Sequence, residues 1–321
     1  MIKRFPGLIS GPNHEANKEK TLKSLLIISD IEGSSGCWNY SGSSFMTEAW
    51  FRACLEMTRD VDVVVTALFD AGIRQITVKD FHRTGYNLLP ELIDSRAQVF
   101  SGYRPGPVPG IGDPGDAEAV IFLGMHAASG TEGFLSHTLT SRIERLEVSG
   151  RPLTEVELFS GSLAPYGVRP IFFSGCPIAC AQATEAITGI DVYPIDKTVG
   201  PQGFDADSWR DGLASAAVAS LDNLSTEPYV PQGPMTAVIT MRDGEAAART
   251  LASRWGFNYD GARIFLQASD IHGLYNDLIR LCYLTPLTEK IVPFVLFWYR
   301  LKGRIALNVV RRHLTRKRLL R

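Results

Sequence analysis

The sequence predicts an α/β fold: a parallel-type sheet with helices on both faces, followed by a smaller α+β lobe and a basic C-terminal extension. Short, apolar, β-rich runs alternate with helical patterns in the first part of the chain, as in sheets built from strand–helix–strand units. A proline-bearing linker, 225–233, separates this part from two further strand–helix pairs. The hydrophobic fraction of 45% is enough for a packed core and excludes a disordered chain.

Four segments follow from these patterns. Residues 1–22 are polar and show no helix or strand periodicity, so we expect a flexible N-terminal arm. The main α/β domain is predicted at 23–224 and the smaller α+β lobe at 234–285. A basic amphipathic tail is predicted at 286–321.

The first predicted strand covers 22–29, where a continuous apolar run suits a strand buried on both faces. Glycine and serine residues between 33 and 44 predict a flexible loop. Residues 46–71 have helical periodicity, and Gly72 is a typical helix terminator. We expect a break near 60–62, because the valines that follow have a low helix propensity.

Four more strands are predicted where β-branched and apolar residues cluster between turn signals: 75–79, 119–124, 141–148 and 168–174. Proline and glycine make 103–115 a loop. Amphipathic periodicity predicts helices at 177–188 and 205–221, the second with a capping aspartate. The smaller lobe is expected to hold two strand–helix pairs: 236–241 with 244–255, and 262–268 with 270–284.

Charge is distributed unevenly along the chain. The formal net charge is −1, but ten of the 33 Lys and Arg residues lie within 286–321 beside one acid, Glu289. The rest of the chain holds 23 basic and 33 acidic residues, a net charge of −10. Aromatic residues interleave with the basic residues of the tail, as in an interfacial helix. Peripheral contact with a membrane and packing against an acidic partner subunit both fit this pattern.

The five cysteines are scattered and odd in number, which favours reduced thiols over a disulfide framework. Cys176 and Cys180 have no second pair nearby, so we expect ordinary semi-buried thiols. The first residues lack the apolar core of a signal peptide, and the late apolar run at 291–299 is too short to span a bilayer. We therefore expect a cytoplasmic protein without a transmembrane helix, and leave membrane association of the tail open.

Acidic and histidine residues follow the apolar runs where the predicted strands end. Asp30 and Glu32 follow the first run, Asp80 and His82 the second, and His126 the third. Ligands bind outside the carboxyl ends of strands in an open parallel sheet, so these side chains should meet at one edge. Two histidines with several carboxylates suit a pair of divalent metal ions that activates water.

Further candidates are His137, one loop beyond His126, and Glu155 or Glu157, of which one would be needed as a ligand. His137 suits proton transfer or stabilisation of an oxyanion. Each residue taken singly has an ordinary explanation, such as a helix-capping acid, a solvated glutamate or a packed histidine. Accidental placement of metal-type residues at successive strand ends is improbable, which favours the metal site.

The ordered motifs resemble those of the zinc-dependent D-aminopeptidases of the dipeptide-transport operon, peptidase family M55, over roughly residues 25–284. The resemblance is carried by Asp30-x-Glu32-Gly33, Ser35-Gly36, Met46-Thr47-Glu48, Asp80-x-His82, Leu123-Gly124-x-His126-Ala127, Ser136-His137, Glu155, Phe265-x-Gln267-Ala268 and Asp270.

The resemblance implies two zinc ions per chain. Asp30 would bridge the two ions. Glu32 and His82 would complete one site, and His126 and Glu155 would complete the other. It further implies a metallohydrolase that cleaves amide or peptide bonds.

His137 would be the catalytic histidine by the same resemblance. The family also implies a homo-oligomer built from pentamers stacked into a decamer, and a small peptide or amide substrate. We expect no nucleic-acid partner.

Three residues depart from the family pattern: Phe81, Phe159 and Cys176. They leave the ligand set intact but change its surroundings. A specialised biosynthetic amidase, esterase or acyl-transfer enzyme on the same two-metal site is therefore the alternative. A third interpretation, a metal-stabilised scaffold attached by its tail to a membrane or nucleic acid, gives His137 no task.

Overall fold

The computed structural model describes residues 22–223 and 225–319. The predicted arm at 1–22 lies, except for Leu22, outside the described residues. The described residues form these strands: β1 (Ser24–Ser29), β2 (Gln75–Asp80), β3 (Gln98–Phe100), β4 (Ala119–Met125), β5 (Ile143–Val148), β6 (Arg151–Pro152), β7 (Arg169–Gly175), β8 (Asp191–Pro194), β9 (Met235–Met241), β10 (Asn258–Asp260) and β11 (Arg263–Ala268).

The helices are distributed between and after these strands. They are α1 (Tyr40–Ser43), α2 (Glu48–Asp70), α3 (Glu155–Leu163), α4 (Pro177–Ala186), α5 (Gly200–Gly203), α6 (Ala206–Ala219), α7 (Gly244–Trp255), α8 (Ile271–Tyr283), α9 (Pro286–Lys290) and α10 (Val292–Arg316). The predicted fold class is confirmed, and the strands and helices named from the sequence are present with small shifts at their ends.

Six strands form one parallel sheet in the order β3-β2-β1-β4-β7-β8. Alternate residues of the central strand β1 enter different cores, as the period of two in a strand requires. Leu25 and Ile27 pack in the cluster that contains α2, whereas Leu26 and Ile28 pack in the cluster that contains α3 and α8. Helices therefore cover both faces of the sheet, which explains why the strand is apolar throughout.

A second, antiparallel sheet has the order β10-β11-β9-β5-β6. Strand β9 of the smaller lobe pairs with β5, which precedes the linker at 225–233. The lobe thus continues a sheet that begins in the larger part of the chain. The division of the chain into domains stays a prediction.

Two local predictions were wrong. Helix α2 runs without a break across 60–62, because Val61, Val64 and Val65 are buried and their packing outweighs their low helix propensity. The loop predicted between 33 and 44 contains the short helix α1, whose first amides donate to the side chain of Asn39. The edge strand β8 had no sequence signal strong enough to predict it.

Helix α10 packs its second half against the body of the protein. Gly303, Leu307 and Leu314 are buried, and the ring of His313 lies 4.8 Å from that of Phe51 on α2. In the same half of the helix, Arg311 makes an ion pair with a glutamate of the body. Among the described residues, no helix is both long and apolar enough to cross a membrane.

Leu314→Ala should destabilise the protein, because Leu314 is 0% exposed in the core that α10 shares with α2. We expect the free energy of unfolding to fall by about 2–5 kcal/mol in urea titrations. The matched control is Leu301→Ala on the same helix, where the side chain is 37% exposed and the cost should be about 1 kcal/mol or less. Equal effects would mean that α10 is not part of the core.

Candidate metal centre

The carboxyl ends of three neighbouring parallel strands bring the predicted residues together. Asp30 and Glu32 follow β1, His82 follows β2, and His126 follows β4. Glu155 reaches the same edge from the first turn of α3. All five residues are buried, between 3% and 5% exposed, so the cluster lies inside the protein.

The carboxylate of Asp30 lies between the two histidines. Its Oδ1 is 3.0 Å from Nδ1 of His82, and its Oδ2 is 3.5 Å from Nε2 of His126. Glu32 approaches Nδ1 of His82 at 3.1 Å, and Glu155 approaches Nε2 of His126 at 3.6 Å. The geometry is therefore two histidine–carboxylate groups that share one carboxylate.

Backbone carbonyls fix which nitrogen of each histidine faces this carboxylate. Nε2–H of His82 donates to the carbonyl of Ser43 at 2.9 Å, and Nδ1–H of His126 donates to the carbonyl of Ala127 at 3.1 Å. The remaining nitrogens, Nδ1 of His82 and Nε2 of His126, point at the carboxylates. Outer hydrogen bonds of this kind orient imidazole ligands at metal sites.

Two buried polar atoms in the cluster have no hydrogen-bond partner: Oε2 of Glu32 and Nε2 of His126. Nδ1 of His82 makes its hydrogen bond to Asp30, so the 3.1 Å approach of Glu32 Oε2 to the same nitrogen is an ion-pair contact and not a second hydrogen bond. Leaving a buried polar atom unpaired costs free energy. Imidazole nitrogen and carboxylate oxygen are zinc ligands, so a zinc ion would satisfy both atoms and fits these residues.

The pKa values of the cluster reflect its concentrated negative charge. Burial opposes protonation of His126, but the carboxylates of Glu155 and Asp30 outweigh it and raise the pKa to about 10. The pKa of His82 is likewise well above its usual value, because Glu32 and Asp30 outweigh burial. Burial would raise the pKa of Asp30, yet the neighbouring His126 and His82 hold it well below its usual value. The carboxylates thus create a negative potential that divalent cations would balance.

A capping box explains why Glu155, and not Glu157, faces the cluster. Thr154 accepts a hydrogen bond from the amide of Glu157, whose carboxylate accepts from the amide of Thr154. Glu157 is also held by Arg151 and Tyr229. Glu155 is left free to point at His126 while it accepts from the amide of Leu139 at 2.7 Å. The Thr-x-x-Glu pattern is a sequence signal that could have decided between the two glutamates.

His137 stacks on His126, with ring centroids 3.8 Å apart and an interplanar angle of 13°. Its Nδ1–H donates to the carbonyl of Leu135 at 2.9 Å. Burial, and then the charge of His126, lower the pKa of His137 to about 4. Ligand atoms of His126, His137 and Glu155 also lie within 4.8 Å of one another. The geometry therefore allows His137 either as a proton-transfer group or as a metal ligand.

Asp80 has a structural task next to the cluster. Its carboxylate accepts from Nδ2 of Asn87 at 2.8 Å and from the amide of Leu88 at 2.9 Å. The same Nδ2 donates to the carbonyl of His82 at 2.7 Å. Asp80 and Asn87 therefore fix the loop that carries His82, and the role of Asn87 was not predicted.

The loop with Asp30 and Glu32 is held from two sides. Nζ of Lys197, which follows β8, donates to the carbonyls of Ser34 and Cys37. On the other side, the amide of Gly33 donates to the carbonyl of Gly124 at 2.8 Å. Neither Lys197 nor the contact between the glycines was predicted as part of the site.

The three residues that depart from the M55 pattern are buried near the cluster. The rings of Phe81 and Phe159 lie 4.5 Å apart, and Phe159 is fully buried. Cys176 is the N-cap residue before α4 and is a free thiol, as are the other cysteines of the described residues. Phe81, the residue before His82, thus packs on Phe159 in the core.

Comparisons with known proteins give consistent results. The family model of peptidase M55, described as D-aminopeptidase, matches residues 24–278. A D-aminopeptidase of Bacillus subtilis (strain 168) is 26% identical over 172 residues, which make up 53% of this chain and 62% of that protein. The match thus spans less than two thirds of the relative's length.

A solved structure is also similar: the zinc-dependent D-aminopeptidase DppA from Bacillus subtilis, described as a self-compartmentalizing protease. The TM-score is 0.72 at 21% identity, and the match covers 81% of this chain and 97% of that chain. At this identity the likeness shows that the two chains share a fold.

Gly124→Ala should disturb the centre, because a Cβ at Gly124 would lie 2.3 Å from the carbonyl oxygen of Asp30. We expect zinc affinity, measured by competition with a chelating dye, to fall about tenfold or more, as for other changes just outside a ligand shell. Gly115→Ala is the control, since Gly115 also has a positive φ but no atom within 4 Å of an added Cβ. If both variants bind zinc like the parent, the contact does not position Asp30.

Proposed function

Since the chain belongs to the M55 family of D-aminopeptidases, we propose that it is a zinc-dependent hydrolase that cleaves amide or peptide bonds. One observation carries the proposal. Two histidines, each fixed through one ring nitrogen by a backbone carbonyl, direct their other ring nitrogens at the shared carboxylate of Asp30. The zinc dependence and D-aminopeptidase activity named for similar proteins support the same conclusion.

We propose a two-zinc centre with Asp30 as the bridging ligand. Glu32 and His82 would hold one ion, and His126 and Glu155 the other. The placement of the two oxygens of Asp30 toward different histidines supports this division. The unpaired Nε2 of His126 and Oε2 of Glu32 fall in different halves of the cluster, so each half has an atom that needs a cation.

When bound, zinc would polarise the scissile carbonyl and lower the pKa of the attacking water toward neutrality. His137 would transfer the proton of the attacking water to the leaving nitrogen. Its Nδ1–H is engaged by the carbonyl of Leu135, so Nε2 is free to accept a proton. Burial lowers the pKa of His137, which favours the neutral ring that can accept a proton. Nε2 would take the proton of the attacking water and deliver it to the leaving nitrogen as the C–N bond breaks.

The second candidate is a specialised biosynthetic amidase, esterase or acyl-transfer enzyme on the same centre. It is favoured by the contact between Phe81 and Phe159, because two bulky residues that depart from the family pattern pack against each other beside His82. A panel of D- and L-aminoacyl amides, N-acyl amides and esters separates the candidates. Turnover confined to substrates with a free α-amine supports the aminopeptidase, and turnover confined to the others supports the alternative.

We also propose that the chain forms a homo-oligomer. The similar solved structure is described as self-compartmentalizing, which supports assembly here as well. Sedimentation velocity of the purified protein would give the size, and a monomer at all concentrations would refute this part of the proposal. The cytoplasmic location stays a prediction.

The purified protein should hold about two zinc ions per chain by elemental analysis, because each half of the centre has its own ligands. Asp30→Ala should lose zinc from both positions, whereas His126→Ala should lose mainly one ion. Asp211→Ala removes an exposed acid and serves as the control. A folded protein that takes up no zinc would contradict the proposed centre, and an equal loss in the two ligand variants would contradict Asp30 as the bridge.

His137→Ala should keep its zinc and its circular dichroism spectrum but lose roughly 10²–10⁴-fold in turnover, since it removes the proton-transfer group. His272→Ala is the control, because His272 lies outside the cluster. Loss of zinc from His137→Ala would make His137 a ligand. Turnover within a few-fold of the parent, with zinc retained, would show that His137 has no catalytic task.

A further inference from the structure

Helix α10 has a second face that nothing in the described residues covers. Its buried face, centred on Gly303, Leu307 and Val310, packs against the body. On the opposite side, large apolar side chains are spaced three and four residues apart, which puts them on one stripe of the helix. We call this stripe the aromatic face: Phe294, Phe297, Trp298, Leu301 and Ile305.

The aromatic face is exposed and continuous. Phe294, Phe297, Trp298 and Ile305 are between 54% and 59% exposed. Trp298 makes edge-to-face contacts with both phenylalanines, at 6.1 and 5.7 Å between ring centroids. The side chains therefore pack on one another while facing outward, and a contiguous apolar patch of this kind marks an interaction surface.

The charged residues of helix α10 are all basic. Helix α10 contains no aspartate or glutamate. Lys302 and Arg304 lie on the two flanks of the face and Arg312 continues it, and all three are exposed. They have no carboxylate partner among the described residues, whereas Arg311, toward the packed side, pairs with Glu91 at 2.7 Å. Cations without a carboxylate partner thus flank the apolar stripe, and the ammonium of Lys302 also lies 4.9 Å from the ring centroid of Phe45.

We propose that the aromatic face docks on a membrane surface that contains anionic lipid. Tryptophan, phenylalanine and aliphatic side chains would enter the headgroup region, and Lys302, Arg304 and Arg312 would contact lipid phosphates. This arrangement is that of an interfacial helix lying in the membrane plane. We infer an anionic lipid surface because cationic side chains flank the stripe, and a membrane because the stripe is aromatic and apolar. Lipid docking at this face does not depend on the hydrolase activity, and the helix lies outside the family match at 24–278.

Docking here would bring the lipid surface close to the site. The ring of Tyr299, on α10, stacks on Tyr103 at 6.2 Å, and Arg300 donates to the carbonyl of Tyr103. Tyr103 in turn packs edge-to-face on Phe81, the residue before His82, at 5.2 Å. Helix α10 therefore carries the aromatic face on its exterior side and also contacts the aromatic residues next to the metal centre.

The test uses the full chain and vesicles of phosphatidylcholine with or without phosphatidylserine, with binding measured by flotation. Truncation is unsuitable because the second half of α10 belongs to the core. Phe297→Ser with Trp298→Ser changes the apolar stripe, and Lys302→Glu with Arg304→Glu reverses the rim charge. The matched controls are Val230→Ser with Tyr259→Ser, and Arg74→Glu with Arg249→Glu, which change exposed residues on other elements.

The parent and both controls should bind the phosphatidylserine vesicles. Both variants of α10 should bind these vesicles at least about tenfold more weakly than the parent. Binding should also weaken with added salt, since exposed charges are screened over about 8–10 Å near physiological ionic strength. The proposal is overturned if the parent does not bind these vesicles, or if the variants bind like the parent. It is also overturned if no lipid binds and the variants change only the sedimentation size, because a second copy of the chain would then cover the face.

Discussion

The shared carboxylate of Asp30 is the constraint on which the rest of the centre depends. Its two oxygens face different histidines, 3.0 Å from His82 and 3.5 Å from His126. This is achieved because β1 lies between β2 and β4 in the sheet, so that the residue after β1 has a histidine on either side. Strand order, more than any single side chain, thus creates a position where one carboxylate can serve two cations.

The surrounding structure keeps that carboxylate in place. Asp80 and Asn87 fix the loop of His82, and the capping box at Thr154 aims Glu155. Lys197 holds the loop that follows Asp30 through the carbonyls of Ser34 and Cys37. Several of these supports act through the backbone, such as the carbonyls that Lys197 binds and the carbonyl of His82 that Asn87 binds.

Much of this could be predicted from the sequence, for a physical reason. Buried parallel strands are apolar throughout, so their ends are visible wherever a charged residue interrupts the run, as at Asp30 and His126. Supports formed by the backbone, such as the carbonyl of Ser43 on His82, have no side-chain signature and were not predicted. Tertiary packing was not predicted for α10 either. The composition of α10 indicated a basic amphipathic helix, but only the packing of Leu314 beside α2 shows that half of the helix belongs to the core.

The central claim is that two zinc ions lie on either side of Asp30. Anomalous X-ray diffraction from crystals of the zinc-loaded protein, with data on both sides of the zinc absorption edge, tests it most directly. The account predicts two anomalous peaks, one near Glu32 and His82 and the other near His126 and Glu155, with Asp30 between them. A single peak held by His126, His137 and Glu155, or no peak at the cluster, would contradict it.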